Sequence, residues 1–322
     1  MTRFRPPTLQ LPLDLLRWGF ETLMREGLPP DEPELVRLLA GVGWRFEARL
    51  TRGRWAMLVD EVRRTFRVSV RTAESAAREA YDVGLQARLE ELIVPRLGPQ
   101  TLTRWARVRG SVAPGSLVLY PHAGSLPVLV AALAWAHPGL VVFRARGVAP
   151  PDRRAIGSIA PSLVNRHLAL RHGEEDARLP VRWTNDPADI AHTLRSGGIA
   201  AAAFDDRAWT TYRPSALLGR EALLSPDPWD IAAAAGVPVV PAFVHRELDK
   251  THVVELRPPM APHLDAYLRD HAEPWLRNNP GHYADWLGSC RIRAGVDDHP
   301  LFPDYAQDLE WHRWRPLHLK SA

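Results

Sequence analysis

Cysteine is all but missing from this chain of 322 residues, with Cys290 as its single representative. One thiol cannot build an intramolecular disulfide framework or a cysteine-based zinc site, and it fits a reducing compartment. Lysine is scarce as well, so the basic side of a net charge of only +4 is almost entirely arginine, whose guanidinium suits bidentate contact with phosphates. An anionic partner is therefore expected: nucleic acid, anionic lipid headgroups, or the phosphates of a coenzyme or carrier protein. No compact Lys/Arg block or nucleic-acid motif accompanies the arginines, which turns the expectation away from nucleic acid and toward lipid or cofactor phosphates. Long apolar runs are missing too. The longest, about Leu126 to Ala136, falls short of the roughly 20 residues a membrane-spanning helix requires. The basic stretch from Met1 to Pro7 is followed by no apolar signal core or small-residue cleavage site, so a cytoplasmic location is expected. The histidines show no H-E-x-x-H pattern or paired ligand spacing, and no Walker A or complete G-x-G-x-x-G is visible. Metal, ATP and NAD are accordingly not expected as cofactors.

What is present is an ordinary globular composition, 46% hydrophobic and 24% charged, which sets disorder and low complexity aside. The expectation is one structural domain: a helical N-terminal region over residues 1–102, then an α/β core over 103–322. Leu13, Leu16, Phe20, Leu23 and Met24 recur at helical spacing among Arg17, Glu21 and Arg25. That amphipathic helix either packs on the protein's own core or lies in a membrane interface with Trp18 at the boundary. Helical patterns continue through Pro33 to Leu50, Ala56 to Phe66 and Val70 to Ile93. From Thr103 the texture changes. Val108 to Val112 and Ser116 to Tyr120 have strand character, split by the turn Pro114-Gly115. Leu126 to Ala136 is expected to be a helix and Leu140 to Phe143 a buried strand, completing a βαβ unit. A helix over Asp186 to Leu194 with Asn185 as a cap, a strand over Ile199 to Phe204, a helix over Pro228 to Ala235 and a strand over Val237 to Val244 follow. Pro238 and Pro241 suggest an edge position for the last.

Chemistry concentrates in Leu117 to Phe143. A histidine directly after a strand and before a helix, His122, is expected at the carboxyl end of a sheet, where open α/β folds gather their sites. An imidazole with a pKa near neutrality suits deprotonation of an acceptor hydroxyl that then attacks a thioester carbonyl; the other reading is a helix-terminus or core histidine. Ser125, before Leu126-Pro127, has the character of a helix cap with proline in the first turn.

Tyr120-Pro121-His122-Ala123-Gly124-Ser125-Leu126-Pro127 resembles the strand and His-Phe-Gly-Asn-Trp-Glu motif of the lipid A lauroyl/myristoyl acyltransferases, part of the wider glycerolipid acyltransferase group with its H-x4-D/E motif. Three further segments resemble that family in the same order. They are Leu194-Arg195-Ser196-Gly197-Gly198 through Phe204-Asp205-Asp206, Leu217-Leu218-Gly219-Arg220, and Pro226-Asp227-Pro228 with Ile231-Ala232 to Pro241-Ala242-Phe243-Val244-His245-Arg246. Asn279-Pro280-Gly281-His282-Tyr283 is similar to its Pro-Glu-Gln-Trp stretch. The resemblance spans most of the chain and implies a central mixed sheet flanked by helices. It implies transfer of a fatty acyl group from acyl carrier protein or acyl-CoA to a hydroxyl or amine of a lipid acceptor, peripherally on the cytoplasmic face of a membrane. It makes His122 the catalytic base, and it places Gly124, Ser125, Arg144, Arg146, Arg154, Gly219 and Arg220 at substrate-binding positions. Arg144, Arg146 and Arg154 also have a plainer reading as a solvated charged edge, Gly219-Arg220 as a simple turn, and Arg246 as a sheet-edge charge.

The family's acidic residue, five positions after the histidine, is Pro127 here. Proline can neither orient an imidazole nor stabilise its protonated form, the role of the aspartate in a Ser-His-Asp triad. Asp205 and Asp206 sit at the end of an expected strand and are candidates for a replacement carboxylate; alternatively Asp205 accepts backbone hydrogen bonds in a turn. Pro127 also motivates a second hypothesis, a catalytically weakened homologue that binds acyl chains or lipid or acts as a partner subunit.

Overall fold

The computed structural model describes residues 52–94, 97–143, 179–206, 209–247, 251–283 and 302. The expected helices over 13–26 and 33–50 lie outside them. The first described elements are helices α1 (Arg52–Phe66) and α2 (Val70–Ile93), the second opened by Ser69, whose hydroxyl accepts from the Thr72 amide at 3.2 Å. A short helix α3 (Pro99–Leu102) leads to strands β1 (Ala106–Arg109) and β2 (Leu117–Tyr120), helix α4 (Leu126–Ala136) and strand β3 (Leu140–Phe143). Strand β4 (Val181–Thr184), helix α5 (Pro187–Arg195) and strand β5 (Ala200–Ala203) follow. A hairpin of β6 (Arg213–Leu217) and β7 (Arg220–Leu224), helix α6 (Asp227–Ala235), and strands β8 (Val239–Arg246) and β9 (His252–Leu256) come next. Helix α7 (Leu264–Tyr267), a π-helical turn (Leu268–Ala272), helix α8 (Glu273–Asn278) and a 3-10 turn (Pro280–His282) close the described chain.

Seven strands form one mixed sheet in the order β1-β9-β8-β2-β5-β3-β4. All neighbours are parallel except β8 and β9, which run antiparallel. Side chains that alternate across a strand supply two separate cores. Leu117, Leu119, Val141, Phe143, Ala200 and Ala202 face a layer that includes α1, α2, α5 and α6. Val118, Tyr120, Val142, Ala201 and Ala203 face the other layer, which includes α4 with Val128, Leu129, Ala131 and Leu133. Strand β5, between β2 and β3, is four alanines, all buried, and contributes little bulk to either core. The α/β class and the mixed sheet flanked by helices agree with the sequence reading, as do the helical patterns from residue 52 to 93.

Two local expectations need correction. The cap of α5 is Asp186, not Asn185: its carboxylate accepts from the Ala188 amide at 2.9 Å, with Pro187 in the first turn. Strand β8 is interior, not an edge, because β2 and β9 flank it. Pro241 is tolerated there because of where its backbone faces. Its carbonyl accepts from the Arg257 amide at 2.9 Å, just past the end of β9, whose last residue Leu256 pairs with Ala242. The Pro241 nitrogen, with no N–H to donate, falls between the last β8–β9 pair and the bridge from Val239 to Met260. The hairpin β6–β7 was not anticipated; Leu218 and Gly219 join its strands with φ of 57° and 76°, both left-handed, as a two-residue type I′ connection requires.

Candidate active site

Strands β2 and β5 are parallel neighbours with Tyr120 opposite Ala203. Parallel strands in register carry the residues beyond their ends to the same level, so His122 and Asp205, each two positions further on, arrive side by side at the carboxyl edge of the sheet. The contact is close. His122 Nδ1 lies 2.8 Å from Asp205 Oδ1, and the His122 backbone N–H lies 3.1 Å from both carboxylate oxygens. A third donor arrives from the far end of the described chain, where the Tyr283 hydroxyl donates to Asp205 Oδ2 at 2.8 Å.

The Asp205 side chain is fully buried while that of His122 is 36% exposed. Burial by itself would push the Asp205 carboxyl up. The charge of His122, its side-chain and backbone hydrogen bonds, and the Tyr283 hydroxyl outweigh that, and the carboxyl lies below the usual carboxylate range. An ionised carboxylate accepts, so Nδ1 carries a proton, and in the neutral ring the lone pair is then on Nε2. This is the arrangement in which an imidazole acts as a base through Nε2, with a buried anion to stabilise the imidazolium that forms.

The loop between β2 and α4 is fixed by its own chemistry. Ser125 caps α4, accepting from the Val128 amide at 3.4 Å, and Pro127 occupies the first turn, where a missing N–H costs nothing. Gly124 has φ of 63°, and a Cβ there would collide with the Val244 carbonyl oxygen. Its N–H donates to the His282 carbonyl at 2.6 Å, and Ala123 forms a bridge to Tyr283. The Gly124 amide is thus committed to the protein rather than presented to a substrate.

Of the two aspartates singled out in the sequence, Asp205 is the one that meets the imidazole. Asp206 is buried beside it, and its backbone carbonyl accepts from the Tyr212 hydroxyl at 3.4 Å. Gly219 is the second residue of the hairpin turn. The Arg220 guanidinium is held by Glu61 and by Thr65 Oγ1 (2.7 Å) of α1, and lies 4.2 Å over the Phe302 ring. Arg144, Arg146 and Arg154 lie outside the described residues.

Reasoning from sequence missed a second polar cluster, directly behind the start of α4. Glu90, near the end of α2, is 2% exposed, accepts from Arg246 at 3.0 Å and meets His252 Nε2 at 2.9 Å. Burial would raise its carboxyl, but the charge and hydrogen bond of His252, the charge of Arg246 and the Ser125 hydroxyl hold it low. Arg246, read as a possible sheet-edge charge, is instead a largely buried member of this cluster. His282 accepts from the Arg246 amide through Nε2 at 3.3 Å, and burial, with the Arg246 guanidinium and the rings of His245 and His252 around it, lowers it to about 4. These residues and Gly124 and Ser125 line a cavity with room for about one water. Arg246 Nε, His252 Nδ1 and Glu90 Oε2 have no hydrogen-bond partner among the described residues. An interior strand with polar residues at its end was the available signal, hidden by the edge assignment of β8.

Among the described residues no group of three or more His, Cys, Asp or Glu is arranged to hold a metal ion, and no helix is long and apolar enough to cross a membrane. Trp275 packs in the core, stacked on Phe243 with ring centroids 5.2 Å apart. Neither the protein-family models nor the curated proteins contain a match to this chain.

Proposed function

We propose that this protein is an acyltransferase that moves a fatty acyl group from the thioester of acyl carrier protein or acyl-CoA to a hydroxyl or amine of a lipid acceptor, working peripherally at the cytoplasmic face of a membrane. The observation that carries the reading is the 2.8 Å contact between His122 Nδ1 and the buried carboxylate of Asp205. It supplies, from a neighbouring strand, the anion that Pro127 cannot supply from α4. The motifs around His122 and in the strands that flank it point to the same reaction class.

In this mechanism His122 Nε2 takes the proton of the acceptor hydroxyl or amine as the oxygen or nitrogen attacks the thioester carbonyl. The imidazolium is stabilised by Asp205, as in a Ser-His-Asp triad. Collapse of the tetrahedral intermediate breaks the carbon–sulfur bond, and the proton on Nε2 passes to the departing thiolate. The products are the acylated acceptor and a free thiol, with no metal or redox partner required.

The test is transfer of a labelled long-chain acyl group from acyl-CoA or acyl carrier protein to lysolipid acceptors. Turnover that disappears in His122→Ala is the expected result. Turnover unchanged in that variant would sink the mechanism, and tight lipid binding without turnover from either donor would favour the lipid-binding homologue instead.

A further inference from the structure

The carboxylate of Asp205 is completely buried, so its orientation is set by the donors around it. Oδ1 receives His122 Nδ1 and Oδ2 receives the Tyr283 hydroxyl, each at 2.8 Å, while the His122 backbone N–H sits 3.1 Å from both. The backbone bond is therefore indifferent to a small rotation of the carboxylate. The Tyr283 bond is not, because it engages one oxygen only. Tyr267 also feels the charge of Asp205, but its hydroxyl donates to the Leu119 carbonyl at 3.1 Å and so does not orient the carboxylate.

Tyr283 is itself held firmly. It is 0% exposed, pairs with Ala123 through a β-bridge, and follows His282, whose carbonyl receives the Gly124 amide. Gly281, just before, lies so close to Glu79 of α2 that a Cβ would collide with that side chain. The segment is thus wedged between α2 and the loop that carries His122. A phenylalanine at 283 would fill the same space, so packing does not explain the hydroxyl. A buried hydroxyl aimed at one oxygen of a functional carboxylate does.

We propose that Tyr283 is a positioning residue of the His122 site, fixing Asp205 Oδ2 so that Oδ1 stays on His122 Nδ1. This rests on the reading of His122 and Asp205 as a base and its orienting anion. Tyr283 touches no reacting atom and acts on the site through its bond to Asp205. Removing its hydroxyl leaves the carboxylate one donor short, which strengthens the pull of Asp205 on the imidazolium and loosens its orientation.

Two measurements test this on the full chain. The first needs no substrate: proton NMR of the His122 Nδ1–H, identified by its loss in His122→Ala, and the titration midpoint of the His122 ring. In Tyr283→Phe the resonance is expected to move and the midpoint to rise. Site-directed fluorotyrosine at 283, a stronger donor, is expected to move the midpoint down. A resonance and midpoint unmoved by both changes would overturn the proposal, whether or not acyl transfer is ever observed. Opposite movement by the fluorotyrosine protein alone would sustain it should Tyr283→Phe fold poorly. The second is kinetic. Tyr283→Phe is expected to lower kcat about tenfold with KM unchanged, the scale on which outer partners of an oriented imidazole act in metal sites. Added to Asp205→Asn it is expected to cost nothing more, since both act through one carboxylate; a full additive loss in the double variant would overturn it.

Discussion

His122 and Asp205 stand at equal distances beyond a register pair: Tyr120 faces Ala203 across β2 and β5, and each functional residue lies two positions on. The sheet itself, rather than a helix, therefore brings imidazole and carboxylate together. In the H-x4-D/E arrangement that this sequence resembles, the acid comes from the helix that follows the histidine, and its place here is taken by Pro127. A carboxylate on an adjacent parallel strand meets the same need, an anion on Nδ1, without any spacing motif to announce it.

Asp205→Asn should therefore retain the fold and lose the reaction. The amide preserves size and part of the hydrogen bonding, but it can hold the imidazole in the wrong tautomer and cannot stabilise the imidazolium. The analogous change in a serine protease triad costs about 10⁴ in kcat. A loss of three to four orders of magnitude, roughly 4 to 5.5 kcal/mol of barrier, with near-wild-type circular dichroism, is expected in the labelled-acyl assay. Activity within a few-fold of wild type would leave Asp205 as a turn residue that accepts backbone bonds.

Features set by neighbours in the chain were legible in the sequence. Ser125 as the cap of α4, Pro127 in its first turn, the bounds of α2, α4 and β3, and the exposure of His122 at a strand end all follow from patterns within a few residues. What could not be read was pairing over distance. Pro241 argued for an edge strand, yet it sits in an interior one, where the β8–β9 pairs end at Leu256. Glu90 and Arg246, 156 residues apart, meet only because α2 lies against the end of β8. The donor from Tyr283 to Asp205 spans 78 residues, and the sequence marked Tyr283 by resemblance alone. Asp205 was a candidate for the same reason that Asp206 was, and only the register of β5 against β2 separates them.

Gly124→Ala is expected to damage both stability and transfer. A φ of 63° costs an alanine about 1–2 kcal/mol, and the new Cβ must also push against the Val244 carbonyl of an interior strand. Relief by moving the loop would break the 2.6 Å bond from the Gly124 amide to His282. A thermal midpoint lowered by at least about 4 °C is expected, together with reduced transfer because the same loop carries His122. An unchanged melt would show that the loop is freer than its contacts indicate.

Glu90→Ala should be among the most damaging changes outside the His122 site. The carboxylate is nearly inaccessible and is the anion for both Arg246 and His252. Removing one member of a buried ion pair typically costs about 3–5 kcal/mol because the other charge is left without compensation. Replacing both partners together, Glu90→Leu with Arg246→Met, is expected to recover much of that loss in chemical denaturation. If the double variant is as unstable as the sum of the two singles, the ion pair is not what holds this cluster together.

Acid sensitivity should trace to His282. Burial first, and then the Arg246 guanidinium with the neighbouring His245 and His252, hold it neutral in the folded protein down to about pH 4, against an ordinary value of 6.5. Glu79 lies 3.5 Å from its Nδ1 and Glu90 lines the same cavity, but burial together with Asp82 raises the Glu79 carboxyl, weakening its help as pH falls. A depressed histidine binds its proton more readily when unfolded, so unfolding takes up protons between these values and stability drops as pH is lowered from about 6.5 to about 4. The shift corresponds to about 3 kcal/mol at the acid end of that window, and none above it. His282→Gln keeps an acceptor for the Arg246 amide and has no proton to gain. Urea denaturation of this variant at pH 7 and pH 4.5 should show a smaller loss between the two than the parent chain, by about 2 kcal/mol or more. Equal losses in the two proteins would show that His282 is not the source of the acid sensitivity between these pH values; the buried carboxylates Glu90 and Asp205, whose values are lowered, give up their own contribution only at more acidic pH, below about 4.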